Sequence, residues 1–438
     1  MAGISLPVMT EYDPANSAEG ALDPLGLYSI ADALATQLVP GVRERQSHPR
    51  YLTAMALGAI LTRDFDRLAA DGESEPWMVY EWHAVEGLVR TQGQNPALAG
   101  LPGIQKTKKA INDGVHLSAA RYLKTATVFG FHGVYRVLAE NLDIVRDEIL
   151  GEAGYQLAMI WEKEQGLEGF VSSKQGNGSY YRESLVNAIN DGLNKGGVDR
   201  SNSWEGFKFF SQYLFPNQIP PKEAEFIAQR LIQNPESFRS QLIRFMSSKP
   251  GKAAWSDQEN KSEKNFHKAL RGQADANLIS LLDAIESYEL FSRLLQDAFE
   301  DCLHAMTRRH CQISPRELAE EKGCQKAFKR IPELFSEVAD RISLFGQAPR
   351  FIEPFGSLAE KTSVESWVNI LLDHHIKVQR QKPPNGKNPW FESYDDGSVA
   401  VRTGYRREQG GLYNDEYVHT YRCFPLWSFL FDLNILEK

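Results

Sequence analysis

Cysteine is scarce. Four residues (Cys302, Cys311, Cys324 and Cys423) are scattered through 438 positions without disulfide-framework spacing, a pattern that suits a reducing compartment. Long apolar runs are missing too. No stretch of about eighteen apolar residues occurs, so no membrane-spanning helix is expected. The first residues lack the basic and apolar regions of a secretory signal, and the expected location is cytoplasmic. Positive charge is short overall: 49 basic residues face 57 acidic ones, a net charge of −8. No global field attracts nucleic acid, and any such binding must come from local patches. The chain has no phosphate loop of the Gly-x-x-x-x-Gly-Lys-Ser/Thr type, no Gly-x-Ser-x-Gly elbow and no His-Glu-x-x-His. An ATPase engine is therefore not expected, nor is any cofactor. No internal repeat appears at solenoid periods.

What is present points to helices. Hydrophobic residues make up 42% of the chain, enough for real cores, and the length allows two to four domains. Ile30, Leu34 and Leu38 keep helical spacing before Pro40-Gly41. A second helix is expected from Arg50 to Ala70 and a third from Trp77 to Arg90. Gly166 to Asn202 reads as a polar, loop-rich excursion. A long strut should run from Ala274 to Arg309. Ser314-Pro-Arg-Glu317 is a capping box, and helices continue over Ile331–Leu344 and Val364–Gln381. From Trp390 the period changes: Ser398–Thr403 and Glu416–Cys423 alternate like strands, with Asp395-Asp396-Gly397 as a turn. The expected fold is mainly α and multi-domain, with a winged-helix-like module and a small C-terminal β element. The segments are 1–100 (N-terminal helical), 101–166 (winged-helix-like), 167–345 (helical bundle with a polar loop over 167–202) and 346–438 (α+β).

The module at Ile104–Gly166 carries the main candidate site. Its expected order is helix, a short helix capped by Ser118, a helix over Val134–Leu142, then two short strands around Arg146-Asp-Glu148. Lys106, Lys108, Lys109, Arg121 and Lys124 stand against one acid, Asp113, which locally reverses the sign of an acidic chain. Such a cluster can meet phosphates, while a helix starting near His132 could present Tyr135 and Arg136 to a major groove. Solvated lysines on an ordinary helical subdomain are the plainer alternative. A second basic region holds Lys377, Arg380, Lys382, Lys387, Arg402, Arg406 and Arg407 with Trp390, Phe391 and Tyr394 interleaved, fitting either base stacking or the packing of a small β domain.

Metal chemistry is weakly represented. Cys302, His304, His310, Cys311 and Cys324 are competent ligands, but lack the paired knuckles of a zinc site, and buried thiols are the simpler reading. His374 and His375 after Asp373, with Asp395 and Asp396, leave a metal-dependent nuclease open, although no acid-x-Lys strand follows.

Leu25-Gly26, Leu38-Val-Pro-Gly41, Arg50-Tyr-Leu52, Gly100-Leu-Pro-Gly103, Leu117-Ser118, Arg121-Tyr-Leu-Lys124 and Phe129-Gly-Phe-His-Gly-Val-Tyr135 resemble poorly characterised bacterial proteins of restriction and phage-defence gene clusters. The likeness covers residues 22–170 and 374–390 and supplies no catalytic residue. It implies only a setting, a subunit working beside a helicase, ATPase or nuclease. The expected function is a non-catalytic DNA-binding or adaptor subunit of such a complex. The alternatives are a protein-binding scaffold and a divergent nuclease.

Overall fold

A computed structural model describes residues 23–172, 175–255, 262–309, 312–360, 362–383 and 385–436. The chain is mainly helical with two small antiparallel sheets. Two compact units are formed, one from residues 23–34 and 262–420, the other from 35–255 and 421–436. In chain order the helices are α1 (Tyr28–Leu38), α2 (Tyr51–Thr62), α3 (Pro76–Gln92), α4 (Ile104–Asn112), α5 (Ala126–Phe129), α6 (Phe131–Asn141), α7 (Glu152–Gln165), α8 (Asn177–Lys195), α9 (Gly206–Tyr213), α10 (Pro221–Ile232), α11 (Phe238–Ser247), α12 (Lys249–Trp255), α13 (Glu263–Leu270), α14 (Ala276–Arg309), α15 (Pro315–Leu318), α16 (Lys322–Ser343), α17 (Ala348–Phe355), α18 (Val364–Arg380) and α19 (Cys423–Asp432). Strands β1 (Val145–Arg146) and β2 (Ile149–Leu150) pair as one hairpin, β3 (Phe391–Ser393) and β4 (Val399–Val401) as the other. Among the described residues no helix is long and apolar enough to cross a membrane.

The unit holding residues 35–255 is built around α2. All twelve of its residues, from Tyr51 to Thr62, are buried, as a helix apolar on every side must be. Helices α3, α6, α7 and α8 pack on it. Arg50, at its N-terminal end, is buried and forms a bidentate pair with the buried Glu223, while its other donors reach the carbonyls of Tyr213 and Phe215. A buried charge is tolerated only when paired and fully hydrogen-bonded, which accounts for the Arg50-Tyr-Leu52 motif structurally. The helix ends at Thr62, eight residues short of the expected Ala70.

The other unit is organised on α14, whose 34 residues span about 51 Å. Helix α16 packs along it, and the capping box forms as expected, with Ser314 and Glu317 exchanging hydrogen bonds ahead of α15. A buried polar stripe at four-residue spacing runs along α14. Glu289 accepts from the Val418 and His419 amides, and Arg293 donates to the Glu416 and Tyr417 carbonyls. Asp297 accepts from the Leu412 amide and Asp301 from Gly411. The stripe satisfies the backbone of an irregular segment that pairs with no strand among the described residues.

That stripe corrects the expected strand at Glu416–Cys423. The segment is irregular up to Arg422, and α19 starts at Cys423. It is a bent, irregular chain lying on α14, with side chains instead of a strand as hydrogen-bond partners. The polar excursion over 167–202 is corrected as well, since α8 occupies 19 residues of it. Leu185, Ala188, Ile189 and Leu193 bury one helical face despite the polar composition around them. Residues 173 and 174 of the expected loop lie outside the described residues.

Candidate nucleic-acid interface

Two helices position the stretch from Ile104 to Leu150. In α4 the alternation of Thr107 and Ala110 inward with Lys106 and Lys109 outward gives an amphipathic helix with a cationic outer face; Lys108 is half-buried. Helix α3 supplies the anchor. Its Glu81 is fully buried and accepts the Tyr122 hydroxyl at 2.7 Å and the amides of Phe131 and His132 at 3.2 and 2.9 Å. These amides belong to the first turn of α6, where N–H groups lack intrahelical partners and a carboxylate is favoured. Burial raises the Glu81 carboxyl pKa, opposed by the Tyr122 hydrogen bond and the two amides.

Two glycines make room for this anchor. A Cβ on Gly130 would lie 2.1 Å from Glu81 Oε1, and one on Gly103 would lie 2.3 Å from the Tyr122 ring. Gly103 also holds φ at +79°, a left-handed value that suits glycine. With Tyr122 pulled inward, its neighbours Arg121 and Lys124 are held at the surface. Four and five residues beyond Lys124, Val128 and Phe129 are exposed, and the Arg45 guanidinium lies 4.6 Å from the centre of the Phe129 ring. Among the described residues, no ion-pair partner reaches Lys106, Lys109, Arg121 or Lys124. Residue Arg45 and the exposure of Phe129 went unread in the sequence, where no signal separates an outward aromatic from a core one.

Other expected members of this site face inward. Tyr135 is fully buried; its hydroxyl accepts the Ser47 and His48 amides at 2.8 and 2.9 Å, and its ring packs on Tyr51 and Phe429. His132 is 7% exposed and stacks on Trp77 with ring centres 4.3 Å apart. Neither can read a groove. Helix α6 buries seven of its eleven residues, and Arg136, which is exposed, lies 3.7 Å from Glu140 one turn on. Ser118 caps no helix. It forms an isolated bridge with Gly197, its carbonyl accepts the Arg121 and Tyr122 amides, and the chain turns there.

The second basic region is arranged differently. Lys382 donates to the Asp23 carbonyl at 2.7 Å, Arg402 lies 4.0 Å from Glu392, and Arg407 pairs with Glu300 at 2.8 Å. Lys377 and Arg380 occupy the exposed last turn of α18, where cations complement the helix dipole. Lys387 is half-buried and Arg406 exposed. The aromatic residues are core: Trp390 and Phe391 are buried, and Tyr405 stacks on Trp390 at 4.7 Å. Tyr394 is exposed and Tyr405 half-buried.

The two histidines of the nuclease alternative are structural. His375 Nδ1 donates to the Pro24 carbonyl and Nε2 accepts the Trp390 amide, so both ring nitrogens are engaged. Burial pushes the His375 pKa down to about 3. His374 Nε2 bonds the Leu25 carbonyl, and burial lowers its pKa too. Asp396 closes its own turn by accepting from Ser398, and Asp395 is exposed. A metal centre using His375 would have to break its tie between the Pro24 carbonyl and Trp390, the residue before β3.

The cysteines also take the simpler reading. Cys302 and Cys324 are buried with sulfurs 3.5 Å apart, and His304 Nδ1 bonds the Arg407 carbonyl. His310 and Cys311 lie outside the described residues. Searches against protein-family models, curated proteins and solved structures find no match to this chain.

Proposed function

We propose that this protein is a non-catalytic binding subunit that engages nucleic acid through the cationic face of α4 and the loop leading to α5. The observation that carries this reading is the exposed set Lys106, Lys109, Arg121 and Lys124, unengaged within the described fold and accompanied by the exposed Phe129 under Arg45. Cations of this kind bind phosphates through counterion release, and an outward aromatic offers a face for an unpaired base. Single-stranded nucleic acid therefore suits the surface better than a major groove. The order α4, α5, α6, β1, β2 supports a winged-helix-like module, but one whose third helix is an interior support. Its setting as a partner of a helicase, ATPase or nuclease in a defence or restriction complex rests on the motif resemblance alone.

Binding of labelled single-stranded and duplex DNA, followed by anisotropy at several salt concentrations, tests the reading. Affinity should fall with salt, and reversal of the four cations to Glu should weaken it about 100-fold. A salt-independent interaction, or one that survives the reversal, sinks it. Exposed Val128 beside Phe129 favours a second reading, docking of a protein partner, which predicts little salt dependence and sensitivity to Val128→Asp.

A further inference from the structure

A cleft of about 610 Å³ opens in the unit that holds residues 35–255. Its size is that of a small-molecule site. Ile60, Trp77 and Leu150 line it, and Leu68, Ile149 and Tyr155 form outward apolar lips. Glu148 lines it too, and also borders a smaller recess of about 10 Å³, enough for one water-sized group. The recess is walled by Trp77, Tyr80, Phe131 and His132.

Three features converge on Glu148. Its backbone is left-handed, at φ +64°, following Asp147 at φ +47°. A two-residue hairpin turn between Arg146 and Ile149 demands positive φ at both positions, and glycine is the usual second residue. Glutamate there is strained, and the strain brings its carboxylate to the recess. The second feature is His132, whose buried Nε2 lies 2.8 Å from Glu148 Oε2 and holds that carboxylate at the mouth of the recess. The third is charge. Three carboxylates, Asp66, Glu75 and Glu148, line the cleft against two arginines, Arg63 and Arg67, and Arg63 is paired with Asp64 outside it.

We propose that this cleft binds a small organic cation, a primary amine on an apolar or aromatic body. The ammonium sits on the cleft side of Glu148, donating to the carboxylate beside its contact with His132, and the body lies along Trp77, Ile149 and Tyr155. This goes beyond the nucleic-acid reading, and DNA affinity should be unchanged by substitutions at Glu148.

The test is calorimetric titration of the full chain with 4-phenylbutylamine and with its anionic counterpart, 4-phenylbutyrate. The amine should bind with a Kd below about 1 mM and the carboxylate should not. Glu148→Gln should weaken the amine by about tenfold or more while far-UV circular dichroism is unchanged. Glu148→Gly relieves the left-handed strain, so it should raise Tm by about one or two degrees while losing the amine. The proposal is overturned if the amine fails to bind at about 10 mM, if the carboxylate binds more tightly, or if both Glu148 variants retain the parent affinity.

Discussion

The two cation-rich stretches, Lys106–Arg136 and Lys377–Arg407, look alike as sequence and differ in three dimensions. Both interleave basic and aromatic residues on an acidic chain. In the first, the ring that is buried, Tyr122, is an anchor that leaves Arg121 and Lys124 outward, and Phe129 remains exposed. In the second, Trp390 and Phe391 are core, while Lys382, Arg402 and Arg407 meet carbonyls or carboxylates of their own unit. A local reversal of charge therefore marks a candidate surface only to the extent that the fold leaves its charges without partners among the described residues, as it does for four cations of the first stretch and for Lys377, Arg380 and Arg406 of the second. Each stretch hangs on one buried polar residue, Glu81 in the first and His375 in the second.

The largest effect expected is at the first anchor. Glu81→Ala leaves two amides of α6 and the Tyr122 hydroxyl without their acceptor, and should cost about 3–5 kcal/mol in denaturant unfolding. A loss under about 1 kcal/mol would show that Tyr122 is held by packing alone. Next, reversal of Lys106, Lys109, Arg121 and Lys124 should weaken DNA binding by about 100-fold and flatten the salt slope, by about 0.7–0.9 for each phosphate no longer neutralised. The matched reversal of Lys377, Arg380 and Arg406 should change affinity less than about threefold, on the order of a surface-charge effect. Equal losses from the two sets, read by anisotropy, would erase the contrast.

His375→Phe should cost about 2–3 kcal/mol by orphaning the Pro24 carbonyl and the Trp390 amide. The same histidine gives a pH signature. Its folded pKa of about 3 lies below the unfolded value near 6.5, so its stabilising contribution is complete above about 6.5. As pH falls toward 3 the unfolded chain gains the proton first, and stability should drop by up to about 1.4 kcal/mol per pH unit. The variant should lose that part of the acid slope; an unchanged slope in urea titrations at pH 4, 5 and 6 would reject the assignment. The smallest effects belong to Lys382→Met and Arg402→Gln, each expected within about 1 kcal/mol because these side chains are partly exposed.

Much of the helical framework is legible from periodicity. The 34-residue strut, the Ser314 capping box and the hairpin around Asp147-Glu148 each announce themselves within a few residues. Long-range partners are not legible in this way. Glu81 reads as one more charge on a helix, yet its carboxylate serves residues 41 to 51 positions away. Tyr135 and Arg136 are neighbours in the chain, and their spacing alone does not say which faces water. The strand expected at Glu416–Cys423 shows the same limit, because alternation of residue types does not say whether a strand or a helix supplies the backbone's partners.

By itself, then, the sequence determined that this protein is a largely helical chain with no membrane-spanning helix expected, and it located where positive charge gathers on an acidic background. Those properties follow from local periodicity and composition, which neighbouring residues carry. Only the tertiary structure decided which cations stay available, because that depends on distant carboxylates and carbonyls brought near by packing. The tertiary structure also turned His132 away from a groove and set it beside Glu148 at the edge of a cleft, through a hairpin turn whose hand no single residue reveals.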